Sequence, residues 1–167
     1  DEKEHKPYFL EWTPRFGYPG MDIEITALED NGYSFTKFMK QVATGTKEKM
    51  FPQNKIVVEL NVSIPPYPSH TGQEETCGIP FSWSKKYDKY FFPLNVMYDK
   101  KQGMVMSGTG GSVCTITCID STLKGAVSML YDKYLPTLEV KDKQFRTDLG
   151  EDAEKRLKTL KDWGILK

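Results

Sequence analysis

Cysteine and histidine carry much of the covalent and metal chemistry available to proteins, and this chain of 167 residues holds three of the first and two of the second. A thiolate nucleophile needs a base within reach. Cys77 with His70, oriented by Asp120, is the Cys/His set that composition allows. Cys114 and Cys118 share a strand face with Ile116 and read as buried, inert thiols. His70, Glu74, Glu75 and Cys77 are all ligand types for zinc, yet their spacing fits no established ligand frame, so no metal is assigned. A Gly-x-Ser-x-Gly nucleophile elbow is absent from the sequence. The segment Ser107-Gly108-Thr109-Gly110-Gly111-Ser112 has the glycines that let backbone N–H groups approach an anion. It lacks the Gly-Lys-Ser/Thr ending of a phosphate loop and leads into a strand, so a hairpin turn explains it better.

Cys114 and Cys118 stand about 13 Å apart along a strand at ~3.3 Å per residue, too far to pair with each other. Cys77 can bridge to either one, or all three stay reduced. Asn61-Val62-Ser63 is a glycosylation tripeptide on the polar face of its strand, and with a disulfide it argues for a secreted or luminal protein. The chain opens at Asp1 without an initiator Met, as a processed mature protein or a trimmed one does, and a secretory leader fits the first case.

Aromatic residues are the strongest remaining signal. Tyr67, Phe81, Trp83, Tyr87, Tyr90 and Phe91 cluster with His70 in a long loop and the strand after it, interleaved with Lys85, Lys86 and Lys89. Aromatic and cationic side chains together suit protein interfaces, sugars or planar ligands. The competing reading is a two-sided core with lysine stems lying over it. Lysine and arginine (23) balance aspartate and glutamate (23), which argues against a general nucleic-acid binder. No window reaches the ~18 apolar residues of a membrane span.

These residues need elements to position them. Residues 1–20, rich in Pro, Gly and aromatics, read as an extended arm; residues 21–167 read as one domain. Met21–Leu28 alternates apolar and polar, which predicts a half-buried strand. Ser34 caps a helix with Phe35, Phe38, Met39 and Val42 on one face, stopped by Gly45. Lys55–Ile64 is the clearest strand, ended by Pro65 and Pro66. A loop from Pro65 to Tyr87 follows, then strands at Tyr90–Tyr98, Met104–Ser107 and Ser112–Ile119 forming a meander. Asp120 or Ser121 caps a helix over Leu123–Tyr134. Asp148 and Glu151 form a capping box for a last helix that buries Ala153, Leu157, Leu160 and Trp163. The expected fold is α+β: an antiparallel sheet of about five strands with a C-terminal meander, packed by three helices. Helices cover one sheet face and the other is partly solvated.

From this the leading expectation is a non-enzymatic binding or interaction domain. It contacts a protein or small ligand through the aromatic loop and the arm, and the arm also offers a route to oligomers. The alternatives are a small enzyme using Cys77, His70 and Asp120, or a structural subunit of an assembly. No residue pattern names a cofactor.

Overall fold

Two long strands, β1 (Ile56–Ser63) and β5 (Ser112–Asp120), pair antiparallel along the middle of the molecule, with Leu60 opposite Ile116. The computed structural model describes residues 3–11, 17, 20–46, 50, 54–68 and 73–165. A short strand β2 (Phe91–Pro93) joins the free edge of β5, giving a three-stranded sheet in the order β1-β5-β2. β3 (Val96–Asp99) and β4 (Gly103–Met106) form a separate two-stranded sheet. The fold is α+β with antiparallel strands, as the sequence implies. The continuous strand expected over Tyr90–Tyr98 is instead a 3-10 turn at Lys85–Tyr90 followed by β2 and β3. Asn95, in the left-handed region at φ 49°, turns the chain between those two strands.

Side chains alternate across a sheet, so β1 and β5 each have two faces. On one face Val58, Leu60 and Val62 meet Cys118, Ile116 and Cys114. This layer is sealed by Leu123 and Ala126 of α3 (Leu123–Met129) and by Leu130 and Tyr134 from a π turn that follows it. Thr122 caps α3, its hydroxyl accepting from Gly125 N at 3.0 Å. Asp120, one of the two expected caps, instead accepts from Thr122 N at 2.9 Å.

The other face is covered too, by α1 (Met21–Asp30), the segment whose alternation suggested a strand. Its buried residues are Asp22, Thr26, Ala27 and Leu28, a helical set in which two polar side chains point inward. Four helical residues rise about 6 Å. Two strand residues rise nearly the same, about 6.7 Å. Asp22 and Thr26 therefore register with Thr115 and Thr117. The Thr115 hydroxyl donates to Asp22, and the Thr26 and Thr117 hydroxyls bond at 2.6 Å. The alternating Ile23 and Ile25 are half-buried at the flanks.

α2 (Phe35–Thr44) has the expected cap, with Ser34 Oγ accepting from Lys37 N at 3.2 Å, and Gly45 ends it at φ 69°. None of its residues is buried; Met39 and Val42 are exposed. α4 (Ala153–Asp162) also has no buried residue, and Leu157 is exposed. Its expected capping box is not formed: the helix starts at Ala153 with Asp152 at the cap position, and Asp148 accepts from Arg146. Within the described part of the arm, the His5 ring stacks on Trp163 with centroids 4.7 Å apart, while Phe9 and Leu10 stay exposed. Trp12, Phe16 and Tyr18 of the arm lie outside the described residues. Among the described residues no helix is long and apolar enough to cross a membrane.

Candidate functional site

The outer edge of β1 is met by the segment that precedes α4. Ser63 N donates to the Gln144 carbonyl at 2.9 Å and Gln144 N to the Ser63 carbonyl at 2.6 Å. Beyond this clasp the two chains diverge and leave a cleft of about 530 Å³. That is within the size range of small-molecule sites. Its floor is Glu59, Asn61 and Ser63; its far wall is Gln144, Phe145 and Arg146; Tyr67 closes one end. Arg146 is held from two sides. Its Nε and Nη2 donate to the two Asp148 oxygens at 2.8 and 2.7 Å, and its backbone carbonyl accepts from the Tyr131 hydroxyl. Tyr131 is delivered by the π turn after α3, a geometry often found near functional sites.

The floor is electrostatically unusual. Burial, and then the nearby Asp22 carboxylate, push the Glu59 carboxyl up to about 6. Burial raises Asp22 as well, partly offset by the Thr115 hydrogen bond. Glu59 Oε2 and Asn61 Oδ1 are both buried without a hydrogen-bond partner. An unsatisfied buried acceptor costs about 1–3 kcal/mol. Two such acceptors two residues apart on one strand face therefore mark a place that wants a donor.

The residues singled out in the sequence are distributed differently. Phe81 and Phe91 are buried core residues, and Trp83 stacks on Phe91 at 5.0 Å while donating Nε1–H to Asp88 at 2.8 Å. Tyr87 and Tyr90 pack on Tyr134 at 4.7 and 4.9 Å, with Lys86 and Lys89 lying over their rings. Only Tyr67 of the aromatic set lines the cleft. His70 lies outside the described residues.

The glycine loop is packed rather than open. The Gly111 carbonyl accepts from Ile64 N at 2.7 Å and the Gly110 carbonyl from Thr76 at 3.2 Å, and Thr109 is exposed. A Cβ on Gly111 would stand 2.2 Å from the Ile64 carbonyl, and one on Gly108 would stand 2.9 Å from Cys77 Cβ. Glycine is required here for close approach of chains.

The expected disulfide is not formed: Cys77, Cys114 and Cys118 are free thiols. Cys114 and Cys118 sit inside the α3 face of the sheet, where burial pushes them up to about 12 and about 11, so they are neither bridged nor nucleophilic. Of the Cys77–His70–Asp120 set, His70 lies outside the described residues, and Cys77 lies beside Gly108, by the loop that precedes β5, while Asp120 is the last residue of that strand. Asn61 stands mid-strand opposite Thr115 with Oδ1 buried. Glu74 and Glu75 are exposed, and among the described residues no three His, Cys, Asp or Glu side chains could hold a metal ion.

What the sequence missed is that Glu59 and Asn61 line one cleft with Arg146. The visible signal was two acceptor side chains on the most regular strand of the chain. The approach of residues 144–149 to that strand carries no local signature.

No protein-family model and no curated protein matches the sequence. Among solved structures, the chain is similar to phosphoribosylamine–glycine ligase from Thermotoga maritima, with a TM-score of 0.66 over 85% of this chain at 21% identity. It spans about a third of that ligase, 33% of its length. The likeness is one of fold. Together with three free thiols it corrects the expectation of a non-enzymatic, disulfide-bonded binder: the architecture is one that an enzyme carries, and no disulfide is formed.

Proposed function

We propose that this chain is a substrate-holding domain of an enzyme of the ligase type, one that joins an amine to a small amino acid. The observation that carries this reading is the fold shared with phosphoribosylamine–glycine ligase across 85% of the chain. Folds host many chemistries, so the reading is tied to a site rather than to the fold alone. The cleft beside β1 supports it, because its volume suits a small molecule and its polar lining is of two kinds. Arg146, fixed in orientation by Asp148 and Tyr131, presents N–H donors suited to a carboxylate or phosphate. Glu59, Asn61 and Gln144 present acceptors suited to amine and hydroxyl groups.

Nuclear magnetic resonance of the 15N-labelled chain tests the reading, with glycine and with ribose 5-phosphate as a stand-in for phosphoribosylamine. Saturable shifts of either ligand centred on Glu59, Asn61, Tyr67 and Arg146 are expected. Silence at these residues toward both ligands overturns it.

A further inference from the structure

Two oxygens on the cleft floor, Glu59 Oε2 and Asn61 Oδ1, are met by no protein donor. Glu59 and Asn61 face the same way along β1, about 6.7 Å apart at the Cα atoms. Two oxygens each ~2.8 Å from one nitrogen span a similar distance, so a single ammonium group can bridge them. Both residues line the cleft, and Glu59 Oε2 and Asn61 Oδ1 are each buried without a partner. The groups that face Glu59 are few. From α1 comes Asp22, a like charge whose oxygen already accepts from Thr115. From β5 comes Thr117, bonded to Thr26. From residues 144–149 comes Arg146, whose Nε and Nη2 donate to Asp148. None of these groups donates to Glu59 Oε2 or Asn61 Oδ1.

We propose that Glu59 and Asn61 form a subsite for a protonated primary amine, with the ammonium N–H groups donating to the two buried oxygens. The subsite deepens the ligase reading and rests on it for the view that the cleft holds a substrate. It also gives a physical reason for keeping a carboxylate beside Asp22: a cation arriving in the cleft relieves the repulsion between the two.

The test is resonance titration of the intact chain with methylammonium, against tetramethylammonium, which has the same charge and no N–H donor. Methylammonium is expected to give saturable shifts at Glu59 and Asn61, including the Asn61 side-chain amide, and tetramethylammonium none. With Glu59 titrating at about 6, the carboxylate fraction and the affinity fall about ten-fold between about pH 7.5 and about pH 5. Glu59→Gln, nearly the same shape, is expected to weaken binding at least about ten-fold and to remove that pH dependence. Asn61→Ala provides a second, charge-conserving variant, with an expected loss of about three-fold. Equal shifts from the two cations, no shift from methylammonium, or unchanged binding in Glu59→Gln each overturn the subsite. If methylammonium binds at Glu59 while glycine and ribose 5-phosphate leave the cleft silent, the ligase reading falls and the amine subsite stands. If either of those ligands binds and methylammonium does not, the subsite alone falls.

Discussion

The two faces of the β1–β5 pair use the same two strands and are closed in opposite ways. Toward α3 the layer is Val58, Leu60, Val62, Cys114, Ile116 and Cys118, and its stability comes from shape and apolar area. Toward α1 the layer is Glu59, Asn61, Thr115 and Thr117 against Asp22 and Thr26, held by side-chain hydrogen bonds. The apolar face is satisfied within the protein. The polar face is satisfied along its middle and left short of donors where it reaches the cleft. Incomplete satisfaction of a buried polar layer is costly, and functional sites are where that cost tends to be tolerated.

The contrast can be broken from either side. The largest effect belongs to the apolar face. Ile116→Ala, at a fully buried centre, is expected to cost about 3 kcal/mol and lower the melting temperature by roughly 9 °C in thermal denaturation. A change smaller than about 1 kcal/mol would show that the α3 face is not the main source of stability.

On the polar face, Thr115→Val keeps the shape and removes the donor to the Asp22 carboxylate. The expected loss is about 2 kcal/mol by denaturant titration, because a buried carboxylate is then left short of a partner. Equal stability of variant and parent would mean that α1 is held by contact alone.

Glu59→Gln is the smallest change and has the opposite sign. The Glu59 carboxyl is raised from 4.5 to about 6, so the folded state binds more protons than the unfolded state between those values. Stability therefore falls as pH rises through that window, and the full penalty is present above about 6. The shift corresponds to about 2 kcal/mol, reduced to about 1 because the side chain borders an open cleft and is screened. The variant is expected to be more stable than the parent by that amount near pH 8 and to lose the slope. A parent whose stability is flat from pH 4.5 to 7 would place Glu59 in water.

Legibility followed the range of the interactions involved. The strand at Ile56–Ser63, the Ser34 cap, the Gly45 stop and the α+β class were readable because capping and period-two burial are local. The Met21–Leu28 alternation suggests a strand, yet the segment is a helix that buries Asp22 and Thr26 against the hydropathy pattern, on hydroxyls of β5 more than ninety residues away. The aromatic residues stand out by composition, but only the fold separates them: Phe81 and Phe91 are buried, Trp83, Tyr87 and Tyr90 pack half-buried against the core, and Tyr67 is exposed at the cleft.

The sequence by itself determined where the two long strands run and that the chain would build an apolar layer, since alternation and turn residues act within a few positions. It also supplied Glu59, Asn61 and Arg146 without saying that they belong together. Only the tertiary structure decided that. The Ser63–Gln144 clasp, the Tyr131 hydroxyl on Arg146 and the packing of α1 over the threonines are long-range contacts whose energies appear when the chain is folded.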